Sequence, residues 1–277
     1  MRVASSFAKA IEYTGNLLRD TSYLVDAQRW QSSDVSDKPE MRMREILNHS
    51  FQVPLNGIED LSHWQKDIEP NLPWANDHFE ERVSGHPLNP GVQWKNWPWS
   101  NSADRFRTEG EQFSHTYMER YWPKEANRSP RRRESSTIVP LRGIRYAYGD
   151  LIDVVNHLAA DPLTRQAFLP VWFPEDTGVV HGERVPCTLG YHWILRNGFF
   201  HSTYYIRSCD FYRHFRDDLY LTLRLHLWML DRLRVDRTQR WESVKPGFFT
   251  FHCVSMHLFV NDAIRLWPEK YGKSPTT

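Results

Sequence analysis

The sequence predicts a single α/β (α+β) domain over residues 1–277, and three observations carry that reading. Segments with helical spacing and segments with strand-like alternation interleave along the chain. Asn197-Gly198 sits between two long alternating runs, a strong short-range signal for a β-hairpin. No linker, repeat or low-complexity stretch divides the 277 residues.

Taken in order, residues 5–24 place Phe7, Ile11, Leu17 and Leu18 at helical spacing. "EILNHSFQVPL" (45–55) reads as a strand ended by Pro54. "PWANDHFEERVSG" offers a short helix capped at Asn76 or Asp77 and stopped by Gly85. "NPGVQWKNWPWSNS" carries too many breakers for regular structure. "ANRSPRRRESS" (126–136) reads as a solvated basic loop, with a phosphate or RNA contact as the alternative. "DLIDVVNHLAADP" is a helix with Leu151, Val154, Val155 and Leu158 on one face, closed before Pro162. "QAFLPVWF" is a strand, and "CTLGYHWIL" and "FHSTYYIRS" are the arms of the hairpin. A long apolar helix, "DLYLTLRLHLWMLDRL" (218–233), and a last strand, "PGFFTFHCVSMHLFVND" (246–262), complete the chain.

A formal net charge of +1 excludes a global basic field of the kind that recruits nucleic acid. No apolar run approaches the ~20 residues that span a bilayer, and the first residues lack a signal-like apolar stretch. The expected location is therefore cytoplasmic, with no membrane contact. The 12 Trp and 12 Tyr suit a large aromatic core first and a stacking surface for a flat ligand second. Three cysteines with no CxxC pair argue against a disulfide framework and against a metal site.

One of them stands in a chemical setting. Cys187 follows Pro186 at the head of a strand, and Arg207 lies twenty residues on, where the return strand of the hairpin brings it alongside. A lone cysteine in a strand is usually a small buried hydrophobe. A neighbouring guanidinium instead favours the reactive thiolate and can also grip a phosphate in bidentate fashion. Ser208 adds a donor, and Asp210 shares its face if the strand continues.

These residues, "PC" at a strand head and then "RSCD" and "F-x-x-D", resemble the core of the thymidylate synthase family. "ADPLTRQAFLPVWFPED" (160–176) is similar to its D-P-x-S-R-R segment with the following Trp-x-Pro strand. "YWPKEA" (121–126) is similar to its I-W-D-E-W-A, and "PGFFTFHCVSMHLFVND" to its P-G-D-F-x-H strand. The resemblance covers roughly residues 118–262 and is weak over 1–117. It implies a mixed β-sheet flanked by helices that dimerises through the sheet, with active sites shared between two copies. It also implies that Cys187 attacks C6 of a pyrimidine nucleoside monophosphate, and that C5 then takes a one-carbon unit from 5,10-methylenetetrahydrofolate. Arg207 and Ser208 would hold the 5′-phosphate, and Arg165 would reach it from the partner. Asp210 would bond the pterin, Trp122 would pack against the folate, and His257 would bond the sugar.

The departures from the family pattern set the expected branch. Eight residues past Asp210 the synthases have asparagine, and this chain has Asp218 in "FRDD", similar to the deoxycytidylate hydroxymethylases. An ionised aspartate is acceptor-only, so it suits the cytosine amino group and a protonated N3. Asp218, or Asp217, is alternatively a helix N-cap. Phe259 replaces a sugar-binding tyrosine, Thr188 a histidine, His192 a glutamine and Gln166 an arginine. Arg142 stands where a catalytic tyrosine is expected, and the polar end "YGKSPTT" predicts a site open to water. "NDHFEER" loosely matches a hydroxymethylase run, which makes Glu81, with Glu80 in reserve, the candidate catalytic glutamate. Arg29 is a further phosphate candidate. The expected activity is 5-hydroxymethylation of dCMP. The alternatives are CMP as substrate, a thymidylate synthase using dUMP, or an inactive nucleotide- or RNA-binding relative.

Overall fold

In this computed structural model, residues 1–30, 33–103, 107, 111–126, 149–179, 182–236 and 240–272 are described. Arg142, most of the basic loop and the "KSPTT" end lie outside them. The strands are β1 (Arg2–Val3), β2 (Tyr23–Val25), β3 (Arg29–Trp30), β4 (Ser33–Asp34), β5 (Met43–Pro54), β6 (Phe168–Pro170), β7 (Thr188–Arg196), β8 (Phe199–Asp210) and β9 (Lys245–Phe259). Asn197 and Gly198 join β7 to β8 with φ of 52° and 75°. That left-handed pair is the tight turn whose twist matches its flanking strands, and glycine adopts it without a Cβ penalty.

The main sheet runs β1-β5-β9-β8-β7-β6, with β2 also on β5; β3 and β4 form a separate ribbon. β8 pairs with β9 in parallel, whereas β5–β9, β7–β8 and β6–β7 are antiparallel. The sheet is therefore mixed, as expected.

Helices cover one face. α1 (Phe7–Asp20) is capped by Ser6 and buries Phe7, Ala10, Ile11, Thr14 and Leu18. α2 (Leu61–Ile68) is capped by Asp60, and α3 (Trp74–Val83) follows. After α4 (Ser100–Ala103), α5 (Tyr117–Tyr121) and α6 (Pro123–Ala126) come α7 (Leu151–Ala160), α8 (Phe215–Asp236), α9 (Val260–Leu266) and α10 (Pro268–Tyr271). Asp150 and Asp153 close a reciprocal cap on α7.

Several boundaries differ from expectation. α3 begins before Asn76, because the Asn76 side chain is taken by Tyr220 (2.7 Å) and Arg224 (3.1 Å) of α8. α8 begins at Phe215, which is fully buried against Phe51 and Phe251. Asp217 and Asp218 thus lie inside its first turn and cap nothing there; Asp217 instead binds the backbone and side-chain nitrogens of Asn71, both at 2.8 Å. The breaker-rich segment forms a 3-10 turn over Val92–Asn96 and the short α4, pinned where Trp97 packs on Trp74 and Trp94 on Phe113. The last strand gives way to α9 at Val260.

The aromatic residues mostly fill the core. Phe51 stacks on Phe251 at 5.1 Å and meets Phe215 edge-on, and Trp64, Trp193, Trp241, Tyr191, Tyr204 and Tyr220 are fully buried. The other face of the sheet is half-open. Tyr205 stacks there on His252 of the neighbouring strand, and Val254, two residues on along β9, is 50% exposed. No helix among the described residues is long and apolar enough to cross a membrane.

Phe51→Ala should cost roughly 3–5 kcal/mol, since it opens a cavity between β5, β9 and α8. Denaturant unfolding checks this; a loss under about 1 kcal/mol would place the packing centre elsewhere.

Candidate active site

β8 and β9 end beside each other, and the polar candidates collect at that end. In register, Ser208 faces Ser255 and Asp210 faces His257. Ser208 Oγ lies 3.5 Å from His257 Nδ1. Asp210 Oδ1 accepts the backbone N–H groups of Tyr212 and Arg213, which turns the chain into α8. Burial pushes the His257 imidazole down, although the Asp210 carboxylate opposes that shift.

The hairpin brings Cys187 and Arg207 together, as the spacing predicts. Arg207 Nη2 is 4.0 Å from Cys187 Sγ, and the Arg207 backbone N–H donates to the Cys187 carbonyl at 2.9 Å. The guanidinium also donates to the carbonyls of Pro186 (2.9 Å) and Val185 (3.1 Å), so it fixes the loop that leads into Cys187. The thiol pKa is nonetheless raised. Burial dominates, Arg207 opposes it, Asp218 adds to it, and Arg184 opposes it again. At neutral pH the sulfur is therefore held as the thiol.

Asp218 reaches the same site from α8. Cys209 Sγ, one strand position before Asp210, donates to its Oδ2 at 3.6 Å. Burial raises the Asp218 pKa to about 7; Arg82 lowers it and Asp217 raises it further. The sequence suggests an ionised acceptor at Asp218; in the structure burial pushes its carboxyl pKa up to about 7.

The glutamate candidates separate cleanly. Glu80 is exposed and pairs with Arg224 at 2.7 Å. Glu81 is buried, accepts the Gln93 backbone N–H through Oε1 (2.9 Å), and meets His78 Nδ1 through Oε2 (3.2 Å). Gly91 lies so close that a Cβ there would stand 2.5 Å from the Glu81 carboxylate and would have to displace it. Trp122 is buried under α3, its indole N–H donating to the Arg82 carbonyl at 2.9 Å. Arg165 is exposed just before β6 and accepts His192 Nε2 at its carbonyl. Arg29 is exposed on the β3–β4 ribbon.

Four site residues were not legible in advance. Arg82 is buried, with its guanidinium 4.2 Å from the centre of the Tyr117 ring. Burial works against its charge, yet the phenols of Tyr121, Tyr191 and Tyr117 and the Asp218 carboxylate outweigh that and raise its pKa. Tyr117 bonds Thr188 Oγ1 at 3.0 Å, and Thr188 in turn bonds Tyr204 at 2.9 Å. Arg184 provides a second positive charge near the thiol. His78 sits between Glu81 and Arg82. The signal for His78, Glu81 and Arg82 was their i, i+3, i+4 spacing, which puts all three on one side of a helix. Among the described residues, no group of three or more His, Cys, Asp or Glu is placed to hold a metal ion.

Asp218 supplies a stability test. Its folded pKa lies above the ordinary 3.8, so the folded state binds a proton that the unfolded state has released. Its contribution to stability therefore falls as pH rises from about 4 to about 7. Asp218→Asn should stabilise the fold by roughly 2–4 kcal/mol at pH 8, with the gain vanishing near pH 4. Denaturation of both proteins across this range checks it; a gain independent of pH would contradict it.

No family model matches the chain. Over 115 residues it is 30% identical to a Methanosarcina barkeri (strain Fusaro / DSM 804) protein named "Putative thymidylate synthase", a stretch covering 41% of this chain and 48% of the relative. The match thus spans about half the length of that curated relative. Among solved structures, thermostable thymidylate synthase A from Bacillus subtilis superposes with a TM-score of 0.64, covering 97% of this chain and 84% of that one at 14% identity. The chain has the thymidylate synthase fold.

Proposed function

We propose that this protein is a folate-dependent pyrimidine nucleotide 5-hydroxymethylase acting on dCMP. The observation that carries the reading is the half-buried Cys187–Arg207 pair sharing one site with Asp218, whose carboxyl pKa is pushed up to about 7. Sulfur addition at C6 of a cytosine pushes an electron pair toward N3, which must take a proton. A neutral Asp218 donates that proton to N3 while its carbonyl oxygen accepts from the 4-amino group. Afterwards, the carboxylate accepts from both. Both forms of Asp218 therefore serve cytosine, whereas uracil, with N3–H and O4, is served only by the neutral form. The likeness of "FRDD" to the hydroxymethylase branch supports a hydroxymethyl product.

The one-carbon unit comes from 5,10-methylenetetrahydrofolate, at the oxidation level of formaldehyde. Nucleotide, methylenetetrahydrofolate and water give 5-hydroxymethyl nucleotide and tetrahydrofolate with no net redox change. The residues fit such a co-substrate. His214 stacks on Trp97 at 4.9 Å beside Asp210, whose carbonyl accepts the His214 backbone N–H. A flat pterin needs such a stacking wall and a carboxylate for its N–H groups. Cys187 supplies the nucleophile, Arg207 and Ser208 face the phosphate, and His257 reads the sugar. Phe259, buried beneath Arg213, offers only a ring where a hydroxyl would be. The half-open sheet face is assigned to a second copy, from which exposed Arg165 would reach the phosphate.

The test is incubation with methylenetetrahydrofolate and each of dCMP, CMP and dUMP, with products identified by mass. A 5-hydroxymethyl product from dCMP is expected. Preferential turnover of CMP would move the assignment to a ribonucleotide enzyme, and a methylated product from dUMP alone would make it a thymidylate synthase. Asp218→Asn should lower kcat/KM for the cytosine nucleotide by roughly ten- to several-hundred-fold relative to dUMP. An unchanged ratio would assign base reading to another residue.

A further inference from the structure

Resting on the functional reading above, the cluster on α3 can be taken one step further. Arg82 Nε donates to His78 Nε2 at 3.1 Å, and His78 Nδ1 lies 3.2 Å from Glu81 Oε2. A guanidinium has donors only, so the nitrogen it bonds must carry no proton. The remaining imidazole proton is then on Nδ1, directed at Glu81. Burial first, and then the Arg82 charge, push the His78 pKa down to about 4, so its bond to Glu81 at neutral pH is a hydrogen bond from a neutral ring.

The surroundings fix each member. Trp74 stacks on His78 at 4.9 Å and 15°, and its indole N–H donates to the Gln93 carbonyl at 2.9 Å. The same residue, Gln93, gives its backbone N–H to the second Glu81 oxygen. Gly91 lets the backbone approach that carboxylate. Glu81 therefore receives one donor on each oxygen, and both donors belong to one closed ring of contacts. At the far end, Arg82 covers the Tyr117 ring, and Tyr117 bonds Thr188, the residue after the nucleophile.

We propose that Arg82 and His78 are positioning residues that form a one-way hydrogen-bond chain, Arg82 to His78 to Glu81. The chain locks His78 as its Nδ1–H tautomer and holds Glu81 as an oriented proton acceptor for the reaction. A histidine that changed tautomer would present Glu81 with a lone pair instead of a proton, and one that turned over would present only a ring C–H. Arg82 opposes both, because the other tautomer would set N–H against the guanidinium and the reversed ring would leave the Arg82 Nε–H facing a C–H. An arginine is needed because it keeps its charge when buried and bonds through a fixed edge.

Two measurements on the full chain test this. Histidine-selective 15N NMR between pH 6 and 8, with His78 assigned from the spectrum of His78→Asn, should show a neutral Nδ1–H ring that does not titrate. The Nε2–H tautomer or an imidazolium would overturn the proposal. Arg82→Met should release the lock and give mixed tautomers; a ring still wholly Nδ1–H would also overturn it. The second measurement is exchange of the C5 hydrogen of dCMP with solvent, without folate. His78→Leu should lower the exchange kcat about 100-fold with KM nearly unchanged, and His78→Asn should recover most of it, since its amide N–H stands where Nδ1–H stood. Equal loss in both variants, or no loss in His78→Leu, would overturn the positioning role. A wild type that neither exchanges nor turns over would instead remove the functional reading, and the catalytic role with it, whatever the tautomer of His78.

Discussion

The parallel pairing of β8 with β9 is the constraint from which the site follows. Parallel neighbours cannot be joined by a tight turn, so the chain must leave β8, cross the sheet and re-enter from the other end. It does so through α8, which begins five residues after Asp210. The helix start is thereby held against the strand end, and Phe215 anchors it in the aromatic core between Phe51 and Phe251. One turn on, Asp218 has no choice but to face Cys209 and the hairpin that carries Cys187. The antiparallel hairpin supplies Cys187 and Arg207, and the crossover supplies Asp218.

Burying charge at this junction is costly, and the fold compensates for it with a connected set of partners. Arg82 is surrounded by three phenols and the Asp218 carboxylate. Asp218 in turn is opposed by Asp217 and supported by Arg82 and Cys209. The result is a carboxyl pKa pushed up to about 7. Burial and Asp218 likewise hold Cys187 toward the thiol, against the Arg207 and Arg184 charges. Arg120 and Asp176, a bidentate buried pair at 2.9 Å, tie α5 and therefore Tyr117 to the loop ahead of Cys187.

How much of this is legible in the sequence depends on whether the interaction is local. The Asn-Gly turn, the Pro-Cys strand head and the spacing to Arg207 are short-range features, and they form as read. The α8 start is not, because propensity sees the apolar run after Asp218 but not the tertiary pocket that draws Phe215 into helix. Residues 1–117 read poorly for the same reason. β5 finds its partner in β9 about two hundred residues away, and α3 takes its start from contacts with α8. Glu81 looks like a solvated helix residue beside Glu80, and only the packing of the Val92–Asn96 turn distinguishes them. The ionisation of Asp218 is a property of burial, which no residue pattern carries.

The central claim is that Cys187 attacks a cytosine ring recognised by Asp218. Its most direct test is covalent trapping with methylenetetrahydrofolate and the 5-fluoro analogues of dCMP and dUMP, followed by intact-mass measurement and peptide mapping. The account requires an adduct carrying nucleotide and folate on Cys187, formed faster with the cytosine analogue. An adduct on Cys209 or Cys253, faster trapping of the uracil analogue, or no adduct with either would contradict it.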